Sequence, residues 1–188
     1  MIVFRRERIP NYVTGLRIVG AALLLWFDLF SNGFFIVYSL CGISDVIDGW
    51  LARRWNAQSE FGSKLDSVSD LAFYSVMLLK VIPYLISKRV HFMVWVVAGS
   101  AIFVRICSYV LVAVKYHRFA AIHTFANKLT GLVVFLFPYA LFFGQLTVVC
   151  FVVGAISNFS SIEEFLIHLT SKEYDSGKKS IFLPSIQT

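Results

Sequence analysis

A helix needs about 20 mostly apolar residues to cross the ~30 Å hydrocarbon core of a bilayer. This chain offers six such stretches, at 11–30, 33–53, 63–87, 91–114, 124–143 and 146–168. Little room is left between them. The separators are Ser31-Asn32-Gly33, the polar stretch from Arg54 to Phe61, Ser87-Lys88-Arg89, the basic stretch from Lys115 to His123, and Gly144-Gln145. The expected architecture is an all-α integral membrane protein of six transmembrane helices. A short N-terminal segment, Arg5 to Arg8 followed by Ile9, Tyr12 and Val13, is expected to lie along the interface. Residues 1–170 read as one membrane domain and 171–188 as a polar tail.

Composition agrees: of 188 residues, 58% are hydrophobic and only 15% charged, against roughly 25% charged in soluble chains. No small-residue cleavage site follows the first apolar run, so that run is expected to be retained. Cys41, Cys107 and Cys150 sit inside apolar runs without metal-ligand or disulfide spacing and read as small buried hydrophobes. His117 and His123 likewise lack a zinc-site partner. No internal repeat appears, which argues against an inverted-repeat transporter.

Lys and Arg accumulate in cytoplasmic loops. With six spans, both termini share one side, which collects Arg5, Arg6, Arg8, Arg53, Arg54, Lys64, Lys115, Arg118, Lys172, Lys178 and Lys179, whereas the other holds Lys88 and Arg89. Both termini are therefore expected in the cytoplasm. The net charge of +6 then reads as a juxtamembrane attraction to anionic headgroups rather than a nucleic-acid patch.

Ionised side chains inside spanning segments cost several kcal/mol unless paired, hydrated or metal-bound. Four aspartates nevertheless fall at the facing ends of the second and third segments: Asp45, Asp48, Asp66 and Asp70. At about 100° per residue, Asp45, Asp48, Gly49 and Ala52 share one helix face, and Gly62, Asp66 and Asp70 share a face of the next helix. A short loop folds such helices antiparallel, so the carboxylates are expected to converge near the cytoplasmic surface. Carboxylates that close oppose one another's ionisation. An oxygen-only cluster suits Mg²⁺, Mn²⁺ or Ca²⁺ rather than zinc, and four carboxylates can hold two ions. Gly49, Ala52 and Gly62 leave room beside the acids for a bulky phosphorylated ligand.

The pattern Asp-x2-Asp-Gly-x2-Ala-Arg-x8-Gly-x3-Asp-x3-Asp over residues 45–70 resembles the signature of the CDP-alcohol phosphatidyltransferases, with every fixed position filled. A chance match is on the order of one in 10¹⁰. Ile9-Pro10-Asn11-Tyr12-Val13-Thr14 with Arg17 also resembles the start of that family's first helix. The resemblance implies a homodimer in the cell membrane with two Mg²⁺ or Mn²⁺ ions near the cytoplasmic face, taking a phosphatidyl group from CDP-diacylglycerol to a small polar alcohol with release of CMP. Asp45, Asp48 and Asp66 would be metal ligands, and Asp70 both a ligand neighbour and the general base. Gly49, Ala52, Arg53 and Gly62, with Asp48 and Asp66, would receive the CDP donor. Without the motif, Arg53 would read as a topology determinant or snorkelling anchor.

Arg105 and Lys128 lie within predicted spans and need an acid, water or substrate beside them; facing a cavity, they would bind an anionic acceptor. Lys115, His117 and Arg118 are explained by loop charge alone. Within the family, Asp66-Ser67-Val68-Ser69-Asp70-Leu71-Ala72-Phe73 looks like phosphatidylserine-synthase versions, whereas Ile9-Pro10-Asn11 and the short length resemble phosphatidylglycerophosphate synthases. Glycerol 3-phosphate ranks first as acceptor, with serine or inositol (phosphate) open. A cation transporter using the same carboxylates is the competing class. It has no need of Gly49, Ala52, Arg53 and Gly62.

Overall fold

The computed structural model describes residues 9–55, 59–116, 124–171 and 180–181. They contain six α-helices and no strand: α1 (Ile9–Leu24), α2 (Asn32–Arg54), α3 (Glu60–Ser87), α4 (Phe92–Tyr116), α5 (Phe125–Phe143) and α6 (Leu146–Thr170). Arg5 to Arg8, His117, Arg118, His123, Lys172, Lys178 and Lys179 lie outside the described residues. So do the side chains of Ala52 and Arg53, although both belong to α2.

Five of the helices, α2 to α6, are long and apolar enough to span a membrane. The first differs from expectation. Its predicted span ran to residue 30, but α1 ends at Leu24 after 16 residues, about 24 Å of helix. The apolar residues beyond it enter a turn in which Leu25 N–H donates to Ala22 O at 3.1 Å and Trp26 N–H to Leu23 O at 3.0 Å, the i→i+3 tightening of a helix end. Lys80 of α3 stabilises this end by donating its ammonium to Phe27 O at 2.7 Å and Leu25 O at 3.2 Å. A cation on the unpaired carbonyls also complements the negative end of the helix dipole.

The chain forms two compact units, Met1–Lys88 and Arg89–Thr188. In the first, α1 packs against both α2 and α3, which meet each other much less. The expected antiparallel pairing of α2 with α3 is thus mediated by α1. Close approach is purchased at Gly20, where a β-carbon would stand 2.5 Å from Cys41 Sγ. Tyr38 stacks on Phe73 at 5.1 Å and on Phe34 at 5.6 Å, linking α2 to α3 through aromatic rings. Ser59 starts α3 by accepting from Gly62 N–H at 3.0 Å.

In the second unit α6 is the element packed against both α4 and α5. Thr124 caps α5 by accepting from Asn127 N–H at 3.1 Å. The end of α6 is tied down by Lys115, whose ammonium donates to His168 O at 2.8 Å and Leu169 O at 3.0 Å, and by Tyr116 Oη to Ser171 O at 2.8 Å. Large apolar side chains such as Leu16, Ile36, Leu71, Phe103 and Val114 are exposed. On helices this apolar, an outward hydrophobic face belongs against lipid. The protein is a multi-pass membrane protein.

Candidate active site

The four aspartates meet around a side chain from α1. Asp45 and Asp48 lie one turn apart on α2, and Asp66 and Asp70 one turn apart on α3, so each pair presents its carboxylates on one helix face. Between them stands Arg17. Its Nη1 pairs with Asp45 and reaches Asp70 Oδ1 at 3.0 Å; its Nη2 pairs with Asp66 and reaches Asp48 Oδ2 at 3.5 Å. Its Nε donates to Ser69 Oγ at 2.8 Å, and Ser69 in turn is 3.4 Å from Thr14 O.

Burial is unequal. Arg17 is 2% exposed and the Asp48 side chain 6%, whereas Asp45, Asp66 and Asp70 are about half exposed at 50%, 48% and 46%. Asp48 is the inner member, held by Thr14 Oγ1, which donates to its Oδ2 at 2.6 Å. Four carboxylates around one guanidinium leave the cluster negative, the condition under which added cations bind.

A divalent ion fits this donor set. One carboxylate oxygen from each of Asp45, Asp48 and Asp66 lies within 4.8 Å of the others. Around one octahedral Mg²⁺, cis oxygens stand about 3 Å apart and trans oxygens about 4.2 Å, so the three carboxylates would draw closer together to share one ion. All available donors are oxygen, as hard divalent ions require.

Gly62 occupies a tight place beside the acids. A β-carbon there would stand 2.8 Å from Asn11 Oδ1 and 3.1 Å from Ser59 Oγ. The space next to this glycine is thus taken by Asn11 of α1. Asn11 also lines, with Tyr12, Phe61 and Leu65, an open cavity of about 390 Å³. Gly49 is on α2 directly after Asp48 and is partly exposed.

Arg105 and Lys128 are in the second unit. Arg105 pairs with the fully buried Glu164 and donates to Asn127 Oδ1 at 2.9 Å and Ser160 Oγ at 3.3 Å. Asn127 Nδ2 donates to the same Glu164 carboxylate at 2.8 Å. Lys128 is exposed on α5. Thr14 and Arg17, read in the sequence only as the start of the first helix, join the acids, while Glu164 opposite Arg105 and Lys80 were missed from sequence. Each is an ionised or polar residue inside a predicted span, the same signal that the aspartates, Arg105 and Lys128 give.

The class defined by this fold and site is a multi-pass helical membrane protein with four aspartates gathered at the facing ends of two helices. The model for CDP-alcohol phosphatidyltransferases matches residues 7–160, which include α1 to α5 and the whole acidic cluster. The chain belongs to the CDP-alcohol phosphatidyltransferase family. It is 41% identical over 70 residues to a cardiolipin synthase (CMP-forming) of Streptomyces coelicolor, covering 33% of each chain. Over 85 residues it is 35% identical to a CDP-diacylglycerol–glycerol-3-phosphate 3-phosphatidyltransferase of Cereibacter sphaeroides, covering 40% of this chain and 37% of the relative. A CDP-diacylglycerol–serine O-phosphatidyltransferase of Methanocaldococcus jannaschii is 38% identical over 68 residues, covering 36% and 31%. The chain thus spans about a third of the length of these curated relatives.

Proposed function

We propose that the protein catalyses phospholipid synthesis by transferring a phosphatidyl group from CDP-diacylglycerol to a small alcohol, releasing CMP. The observation that carries this reading is the convergence of Asp45, Asp48, Asp66 and Asp70 in one half-exposed cluster within a chain of this family. Asp45, Asp48 and Asp66 would hold Mg²⁺ or Mn²⁺, two ions in all with Asp70. When bound there, such ions would supply charge neutralisation for the diphosphate and the phosphoryl oxygens.

The residues divide the remaining work. Asp48, buried and fixed by Thr14, is the rigid inner ligand. Asp70 takes the proton of the acceptor hydroxyl as the alcohol oxygen attacks the phosphatidyl phosphorus; the bond from that phosphorus to the bridging oxygen breaks, and the electron pair leaves with CMP. Gly49, Ala52, Arg53 and Gly62, with Asp48 and Asp66, receive the CDP moiety. Of the two cations put forward for the acceptor's anionic group, Arg105 is engaged by the buried Glu164 and Lys128 is exposed on α5. Residues 1–170 constitute the enzyme and 171–188 an appended tail.

Glycerol 3-phosphate is the preferred acceptor, supported by the likeness to a CDP-diacylglycerol–glycerol-3-phosphate 3-phosphatidyltransferase; serine and inositol (phosphate) would use the same chemistry. The Lys and Arg distribution supports a cell-membrane protein with its active site facing the cytoplasm. The homodimer is carried by the family likeness. The deciding experiment incubates the purified protein with CDP-diacylglycerol and Mg²⁺ or Mn²⁺ and measures CMP with glycerol 3-phosphate, serine, inositol or inositol phosphate. CMP is expected only with metal and one of these acceptors. Chelator-resistant turnover would overturn the mechanism.

A further inference from the structure

Arg17 is the member of the acidic cluster to which the transfer reaction assigns no task. A guanidinium has five N–H donors, and the structure offers Arg17 five acceptors: Ser69 on Nε, Asp45 and Asp70 on Nη1, Asp48 and Asp66 on Nη2. The group is saturated and 2% exposed, so it neither snorkels to headgroups nor has a donor to spare. A lysine ammonium, with three donors on a point charge, cannot span four carboxylates.

Arg17 takes one oxygen from each of the four aspartates, including Asp48 Oδ2, which already accepts from Thr14. Divalent ions would draw on the same carboxylates. A cation placed among the ligands both repels an incoming ion and occupies lone pairs that the ion needs. We propose that Arg17 is a built-in competitor for the divalent ions, a counter-cation that holds the four-aspartate cluster together and sets how tightly metal is taken up. Metal loading then requires carboxylate oxygens to be released by the guanidinium. This inference rests on the metal-dependent reading of the cluster given above.

The test measures Mn²⁺ binding in detergent by the electron paramagnetic resonance signal of free Mn²⁺, for the wild type, Arg17→Gln, Arg17→Lys and Asp48→Asn. Thermal unfolding is followed with and without Mn²⁺. Arg17→Gln is expected to bind Mn²⁺ at least tenfold tighter than the wild type. Its metal-free melting temperature should fall, and its gain on adding Mn²⁺ should exceed the wild type's. Arg17→Lys should lie between, and it decides the matter if Arg17→Gln does not fold. Wild-type or weaker Mn²⁺ affinity in the folded Arg17 variants, with the wild type binding, overturns the competition while leaving the metal site standing. Absence of Mn²⁺ binding in every protein, or binding indifferent to Asp48→Asn, overturns the metal reading itself.

Discussion

The Thr14 hydroxyl donates to Asp48 Oδ2 at 2.6 Å across the α1–α2 interface, with both side chains buried. A neutral donor thereby fixes the innermost carboxylate of the cluster without adding charge. Thr14→Val keeps the shape and deletes the donor. Loss of a hydrogen bond to a charged group costs about 1.5–3 kcal/mol, so thermal unfolding in detergent should shift downward. CMP release should fall several-fold as Asp48 loses its fixed orientation.

Asp48 and Asp70 are expected to fail in different ways. Asp48→Asn removes a hard anionic ligand from the inner position, and calorimetry should show weakened CDP-diacylglycerol binding. Asp70→Asn should depress CMP release by about 10²-fold to 10⁴-fold while donor affinity changes much less, the mark of a base acting in the transition state. Equal loss of donor binding in the two variants would make Asp70 an ordinary ligand. Wild-type turnover in Asp70→Asn would remove it from the mechanism.

Gly62 supports a test that separates packing from substrate room. Gly62→Ala places a methyl group 2.8 Å from Asn11 Oδ1, the far end of a side chain that can swing away. Thermal stability should drop modestly and recover in the Gly62→Ala, Asn11→Ala double variant. If CMP release recovers with it, the glycine serves the α1–α3 contact alone. Restored stability with impaired donor affinity would assign the space to the nucleotide.

In the second unit, Arg105 and Glu164 form an ion pair in which the acid is wholly buried. Removing one partner strands the other charge, at a cost of about 3 kcal/mol or more. Arg105→Met is therefore expected to destabilise the protein more than Arg105→Met combined with Glu164→Gln. A double-mutant cycle on unfolding in detergent measures the difference, and additive losses would argue against the pair.

Much of this was legible in the chain. Apolar runs of spanning length marked all six helices, and the 3.6-residue period placed Asp45 with Asp48, and Asp66 with Asp70, on common faces. What could not be read was where α1 ends and its place between α2 and α3. Hydropathy does not distinguish residues 25–30 in a helix from the same residues in a turn, because Lys80, some 50 positions away, supplies the carbonyl partners that end α1. The partners of Arg17 and Arg105 were hidden for the same reason: a period of 3.6 describes one helix, whereas an ion pair joins two.

The placement of Arg17 also bears on how the chain enters the bilayer. It stands in α1, and every acid it pairs with arrives later, two on α2 and two on α3. An arginine near the middle of a spanning segment adds about 2.5–3.5 kcal/mol to the cost of insertion. Stable integration of α1 is therefore expected to be completed only once α2 and α3 emerge and supply their carboxylates. A nascent chain halted before Asp66 would leave its first helix accessible to water-soluble thiol reagents at an engineered cysteine, and one released after Asp70 would shield it.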